Sequence, residues 1–178
     1  DENGKVVDIS CKTVSEKKFI WYGTGGNDPE GPHLYKINGW YYLLISEGGT
    51  EFCHMITVAR SRNIWGEYES CPRNPVFSNR STSLPIKGTG HMDIVCDQYG
   101  DWWGVCLANR PITYPFKHNL GRETFLVPVE WDDKDWPVIG RNGLLDERIS
   151  SDRKLHEGVM QKSQTDEGKH FHDEFDGD

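Results

Sequence analysis

The sequence lacks the features that would assign it to several common functional classes. It has no run of about 18 consecutive apolar residues, so no segment predicts a membrane-spanning helix. It also has no surplus of positive charge, because 20 Lys and Arg stand against 28 Asp and Glu, for a net charge of −8. Nucleic acids and anionic membrane surfaces attract basic patches, so we expect neither as a partner.

Familiar catalytic and metal-binding motifs are absent as well. There is no GxSxG, no HExxH and no GxGxxG. The five cysteines are odd in number and have no CxxC spacing, so a disulfide framework or a zinc site is not expected. We expect free thiols that fill small apolar spaces, an interpretation that suits Cys96 and Cys106 inside strand-like runs. Residues 1–4 are charged and turn-like, with no initiating Met and no signal peptide, so we expect the true N-terminus to be missing and leave the compartment open.

Aromatic residues and strand signals are what the sequence has in abundance. Trp, Tyr and Phe number seven each, and such rings favour strands and also line sugar-binding sites. Residues 34–37 and 40–45 are β-rich runs joined by Asn38-Gly39, a dipeptide typical of a type I′ hairpin. A second hairpin is predicted from residues 94–97 and 102–107, and a third from residues 124–129 and 136–139.

The first two hairpins repeat at a fixed offset of 61 residues. Leu34 aligns with Val95, Gly39 with Gly100, Tyr41 with Trp102 and Leu44 with Val105. An all-β repeat of mostly antiparallel strands with aromatic hairpins predicts propeller blades, although a β-sandwich stays open as an alternative. A propeller needs about four to eight blades to close, and this chain holds about two, plus parts, so we expect a fragment.

The chain divides by composition into two regions. Residues 1–149 carry the strand signals and are expected to form a β-propeller domain. Residues 150–178 are polar and highly charged, with few apolar residues, which predicts a linker or tail.

Three positions could carry chemistry. Glu30 stands between Pro29 and Gly31-Pro32 at the start of a strand, and a rigid carboxylate there suits a general acid. An acidic turn residue is the more common explanation for such an isolated carboxylate. His91 follows Gly90 just before a strand and could orient a carboxylate, contact sugar, bind an ion, or be a satisfied loop histidine.

Arg122 also precedes a strand. Its forked guanidinium could bind a carboxylate or sugar hydroxyls, or it could form a surface ion pair with Glu123. Residues 46–50 (SEGGT) form a Gly-rich strand exit, which is not a phosphate-binding loop because no Lys and no helix start follow.

Taken together, these motifs resemble glycoside hydrolase family 43. The resemblance covers roughly residues 20–140, in the expected order. It is carried by residues 30–36 (EGPHLYK), 41–44 (YYLL), 46–50 (SEGGT), 57–61 (TVARS), 65–68 (WGEY), 88–93 (GTGHMD), 120–126 (LGRETFL) and 136–138 (WPV).

The resemblance implies a five-bladed β-propeller, of which this chain would supply about blades 3–5. It implies inverting hydrolysis of β-xylosides and α-arabinofuranosides of plant hemicellulose, with Glu30 as the general acid and xylo- or arabino-oligosaccharides as substrates. It further implies that Arg122, His91, Glu47 and Thr50 bind substrate. No cofactor is implied as required, but a structural cation such as Ca²⁺ would be linked to His91 through water, near the propeller axis.

The chain departs from the family pattern upstream of Glu30. The family places a general base Asp and a second Asp, which tunes the acid, in the early blades. Only Asp1, Asp8 and Asp28 precede Glu30 here, and none has the family's context, so we expect both aspartates outside this chain and the chain alone to be inactive. Residues 170–176 (HFHDEFD) resemble the lead-in to a missing C-terminal β-sandwich.

Two alternatives to an enzyme fragment remain. One is a non-catalytic carbohydrate-binding propeller module, in which Glu30 only accepts hydrogen bonds, and the other is a β-sandwich structural domain. The choice between xylosidase and arabinofuranosidase, the oligomeric state and the compartment are left open.

Overall fold

The strands in the described part of the chain form two separate antiparallel sheets. The computed structural model describes residues 18–113 and 117–148. The first sheet contains β1 (Glu30–Ile37), β2 (Trp40–Glu47), β3 (Met55–Ser61) and β4 (Glu69–Ser70). The second contains β5 (Lys87–Cys96), β6 (Trp102–Asn109), β7 (Glu123–Trp131) and β8 (Pro137–Ile139). Within these ranges no helix is both long and apolar enough to cross a membrane.

Each sheet is a four-stranded meander, the arrangement of a propeller blade. In both sheets the spatial order of the strands is their order along the chain, and every neighbouring pair is antiparallel. The predicted all-β, antiparallel propeller fragment is therefore confirmed, with two blades in the described part. Residues 1–17, the predicted boundary at 149 and the predicted tail 150–178 lie outside the described residues.

The three predicted hairpins are all present, but they have different places in the blades. Asn38 and Gly39 have φ of 50° and 76°, as a type I′ turn requires, and join β1 to β2. Asp97 caps the β5–β6 turn by accepting hydrogen bonds from the backbone N–H groups of Tyr99 and Asp101, both at 2.9 Å. The third hairpin is β7–β8, the outer pair of the second sheet rather than the start of another blade.

The two sheets pack against each other over one apolar core. One surface of the first sheet faces one surface of the second, and Phe77, on the segment between the sheets, is fully buried among them. Each fully buried aliphatic or aromatic side chain contributes roughly 1.5–3 kcal/mol relative to exposure. The core includes Leu44, Ile56, Val58, Met92, Ile94, Cys106, Val127 and Ile139.

The opposite surface of the second sheet leaves apolar side chains in water. Val95, Val105 and Leu126 are 52%, 38% and 58% exposed, and Val105 and Leu126 are direct cross-strand partners. In a closed propeller the neighbouring blade covers such a surface, so this exposed face agrees with a partial propeller.

The four cysteines in the described part of the chain are free thiols, as predicted. Cys71 and Cys106 are buried, and burial raises the pKa of Cys106 to about 12, so this thiol is inert at neutral pH. The expectation of burial is wrong for Cys96, which is exposed because it ends β5 beyond the edge of the core. Cys53 is free and exposed, and Cys11 lies outside the described residues.

Arg60 on β3 connects the two sheets through its guanidinium group. The guanidinium carbon lies 4.0 Å from the centre of the Trp40 ring and 3.9 Å from that of Trp136. Nε donates to Glu69 Oε1 at 2.6 Å, and Nη1 donates to two carbonyl oxygens of the β7–β8 turn at 2.5 and 3.1 Å. A planar cation with forked donors fits this slot, and a lysine ammonium does not.

We therefore predict that Arg60→Lys lowers the free energy of unfolding by about 2–3 kcal/mol, because it loses the ring stacking and at least one charged hydrogen bond. Urea unfolding followed by tryptophan fluorescence measures the change. Arg141→Lys is the matched control, since Arg141 pairs with Asp146 at 2.5 Å but is exposed. Equal effects of the two substitutions would show that Arg60 contributes no more than a surface ion pair.

Candidate active site

The structure brings Glu30 and His91 together at the edge where the two sheets meet. Glu30 begins β1, and His91 lies in β5, 61 residues later, which is the repeat offset. His91 Nδ1 is 3.4 Å from Glu30 Oε1, and both side chains are about half exposed, at 46% and 44%. The two groups thus occupy equivalent positions in successive blades, and both are accessible to a ligand.

A bulge in each strand makes this approach possible. The pairing of β1 with β2 shifts between Glu30 and His33, and the pairing of β5 with β6 shifts between Gly90 and Asp93. Gly31 has a φ of 55°, and a Cβ on it would lie 3.2 Å from the His91 ring. A side chain at position 31 would therefore be strained and would push His91 away from Glu30.

A third group, His54, was not predicted from the sequence. Its side chain is completely buried just before β3, with Nδ1 3.0 Å from the carbonyl oxygen of Gly88 and Nε2 3.6 Å from Glu30 Oε1. The ring covers Gly90, where a Cβ would lie 2.4 Å from it. Nothing local marks His54 as functional; the available signal was the alternation of Gly88 and Gly90, which leaves room for a ring from the neighbouring sheet.

Arg122 lies beside this cluster. It is exposed immediately before β7, and its charge acts on His54. Burial, first of all, lowers the pKa of His54, and the electrostatic effects of His91 and Arg122 lower it further, against the opposing effects of the Gly88 hydrogen bond and of Glu30. Glu123, the suggested surface partner of Arg122, instead accepts hydrogen bonds from Arg110 Nε on both oxygens at 3.1 Å.

Glu47 lies at the end of β2 with no exposed surface. Its carboxylate accepts hydrogen bonds from four donors: the Thr24 N–H and hydroxyl, the Gly26 N–H and the Thr57 hydroxyl, at 2.5–3.1 Å. These bonds anchor the loop that leads to Glu30. The prediction that Glu47 binds substrate stays untested, and the structure gives its carboxylate a different set of partners.

Thr50 is exposed on the loop that follows β2. This loop lies against the loop preceding Glu30, because the Gly48 N–H donates to the carbonyl oxygen of Asn27 at 2.7 Å. Thr50 is therefore near the approach to Glu30, and its contact with substrate stays a prediction.

A shallow groove opens beside His91, lined by His33, His91, Asp93, Ile94, Val95 and Val105. The Tyr35 hydroxyl donates to Asp93, and burial together with this bond raises the pKa of Tyr35. Val95 and Val105 belong to the face that a neighbouring blade would cover in a closed propeller, so this groove is part of that face.

The implied cation finds few ligands here. No three His, Cys, Asp or Glu side chains within residues 18–113 and 117–148 converge as a metal site. A cation linked to His91 through water would need its direct ligands from water, from carbonyl, amide or hydroxyl oxygens, or from outside the described residues. The cation therefore stays a prediction, and no step below depends on it.

Comparison with known proteins shows which proteins this chain resembles. The family model described as Glycosyl hydrolases family 43 matches residues 5–137. A non-reducing end alpha-L-arabinofuranosidase of Bacteroides ovatus is 48% identical over 147 residues, covering 82% of this chain and 26% of its own. A xylosidase/arabinosidase of Butyrivibrio fibrisolvens is 45% identical over 146 residues, covering 79% of this chain and 28% of its own.

Solved structures give the same result. The crystal structure of xylan beta-1,4-xylosidase from Bacillus halodurans C-125 superposes with a TM-score of 0.73 at 38% identity, covering 80% of this chain and 28% of that one. The chain spans about a quarter of the length of the curated relatives it matches.

The contacts of Glu47 generate a prediction. Glu47→Gln keeps the side-chain shape but turns an amide NH₂ toward donors, so we expect the free energy of unfolding to fall by about 2–3 kcal/mol. Hydrogen exchange should also show faster opening of residues 23–28. Urea unfolding and exchange mass spectrometry measure the two effects.

Glu51→Gln serves as the control, because Glu51 is exposed on the neighbouring loop. Unchanged stability and exchange in Glu47→Gln, combined with weaker sugar binding, would contradict the anchoring role and support the predicted substrate contact.

Proposed function

The chain belongs to glycoside hydrolase family 43, and from this membership we propose that it is the acid-bearing part of an enzyme that cleaves xylosides or arabinosides with inversion of configuration. The observation that carries the proposal is the approach of Glu30 on β1 to His91 on β5 at one accessible edge of the two blades, with the charge of Arg122, immediately before β7, acting on the neighbouring His54. A carboxyl group among potential sugar-binding groups is the arrangement that general acid catalysis requires.

Glu30 is the proton donor in this proposal. As the bond between the sugar carbon and the leaving oxygen breaks, its electron pair moves to that oxygen, which takes the proton of the Glu30 carboxyl. A water molecule attacks the sugar carbon from the opposite face and loses its proton to a second carboxylate. In inverting enzymes the two carboxyl groups stand roughly 6.5–9.5 Å apart to admit this water.

The second carboxylate is expected outside the described residues. Asp1 and Asp8 precede them, and Asp28 is exposed on the loop before β1 with its Oδ2 3.0 Å from the Asn27 amide nitrogen. The general base and the Asp that tunes the acid are thus proposed to come from upstream blades.

His91 and Arg122 are proposed to bind the sugar. A guanidinium presents several donors in one plane, which suits neighbouring hydroxyl groups. The names of the similar proteins indicate pentosides as the substrate class, since they include an arabinofuranosidase, a xylosidase/arabinosidase and a xylan xylosidase.

The division of the acid and the base between blades predicts that this chain alone hydrolyses neither p-nitrophenyl β-xyloside nor p-nitrophenyl α-arabinofuranoside. A longer protein with the upstream blades should hydrolyse at least one of them. Release of p-nitrophenol measures both. Turnover by the chain alone would place a base within these residues, and no turnover by either protein would favour a sugar-binding module.

The role of Glu30 predicts a dependence on the leaving group. In the full-length protein, Glu30→Gln should lower kcat on xylobiose, or its arabinosyl equivalent, by about 10²–10⁴-fold, because the departing sugar needs a proton. The 2,4-dinitrophenolate group of a 2,4-dinitrophenyl glycoside leaves as a stable anion without a proton, so kcat on that substrate should change little.

Glu67→Gln, at an exposed position on the loop before β4, is the control and should behave as the wild type on both substrates. Undiminished cleavage of the disaccharide by Glu30→Gln would remove Glu30 from the acid role.

A further inference from the structure

His54 combines complete burial with a polar atom that lacks a bonding partner. Its Nε2 has no hydrogen-bond partner among the described residues, although the side chain has no exposed surface. A buried polar atom without a partner lowers the stability of the folded protein by about 1–3 kcal/mol, so such an atom requires an explanation. The atom that Nε2 faces is Glu30 Oε1, at 3.6 Å.

The other ring nitrogen fixes the state of His54. Nδ1 lies 3.0 Å from the carbonyl oxygen of Gly88, and because a carbonyl only accepts, Nδ1 carries the proton. Burial lowers the pKa of His54, which keeps the ring neutral. Nε2 therefore presents a bare lone pair toward Glu30, and only a carboxyl that carries a proton can bond to it.

The ring cannot turn this lone pair away. Its Nδ1 is hydrogen-bonded to the Gly88 carbonyl oxygen at 3.0 Å, and the ring is held against Gly90. Hydrogen bonds of a catalytic group are often long before substrate binds and shorten in the complex, and a small rotation of the Glu30 carboxyl closes the distance of 3.6 Å.

We propose that His54 is a positioning residue for the general acid: its bare Nε2 accepts a hydrogen bond from the protonated Glu30 carboxyl and fixes that carboxyl between turnovers. The proposal rests on the proposed function of Glu30. When the glycosidic oxygen arrives, the Glu30 O–H turns from Nε2 to that oxygen and its proton is transferred there. His54 keeps its single proton on Nδ1 throughout.

The other charged or titratable groups facing this pair cannot take the same role. His91 approaches the same Glu30 oxygen from β5, but it is half exposed, so water competes for its ring nitrogens. Arg122, before β7, is a cation and has donors only. Of these three neighbours, His54 alone offers Glu30 an acceptor that is both fixed and shielded from water.

The test uses His54→Asn in the full-length protein, because the Asn amide can still donate to Gly88 while offering nothing at the position of Nε2. We expect kcat on xylobiose, or its arabinosyl equivalent, to fall roughly 10–100-fold, less than the loss from removing the acid itself, with KM nearly unchanged. Activity on the 2,4-dinitrophenyl glycoside should be retained. In a Glu30→Gln background the same substitution should cause no further loss.

Cys53→Ser, at the adjacent exposed position, is the control and should match the wild type. Equal losses on both substrates, or a full additional loss in the Glu30→Gln background, would make His54 a purely structural residue and overturn the proposal. Failure of the proposed function is distinguishable, because Glu30→Gln itself would then show no dependence on the leaving group.

A measurement on the wild-type protein covers the case in which His54→Asn does not fold. Neutron diffraction from crystals of the full-length protein locates the exchangeable hydrogens of the ring. Deuterium on Nδ1 and none on Nε2 supports the proposal, and deuterium on Nε2 overturns it.

Discussion

The apolar contact between the facing surfaces of the two sheets, with Ile56, Phe77 and Met92 at its centre, sets the distance between β1 and β5. Neither sheet carries the candidate site alone. The acid comes from the first sheet, and the histidine beside it comes from the second. The same packing buries His54 completely beside them. The core is therefore the main source of stability. It also holds Glu30 and His91, which are remote in sequence, within 3.4 Å of each other.

Two completely buried polar side chains near the site show how differently such groups can be used. The carboxylate of Glu47 has four donors and serves as an anchor for the preceding loop. The imidazole of His54 has one firm bond, through Nδ1, and one nitrogen that faces the acid. A fully satisfied buried group stabilises one conformation, whereas a partly satisfied one keeps bonding capacity for a reacting partner.

The parts of this structure that were predictable are those governed by local chemistry. Turn residues such as Asn38-Gly39 between β-rich runs mark the hairpins, and the offset of 61 residues reveals the blades. The resemblance, rather than the local pattern, put Glu30 ahead of an ordinary acidic turn. The inward direction of Glu47 was hidden because residues 42–47 are all buried, so β2 shows no alternation. His54 was missed because its role depends on Gly88, 34 residues away.

The equivalence of Glu30 and His91 bears on how such a site originates. Duplicating a hairpin copies a backbone, and in both copies the bulge presents one side chain at the meeting edge of the sheets. The two copies share the position of this side chain but not its type. A carboxyl group in one copy and an imidazole in the other therefore require no change in the backbone. A repeated backbone thus carries unlike side chains at equivalent positions, and the internal symmetry of the fold brings two different groups to one edge.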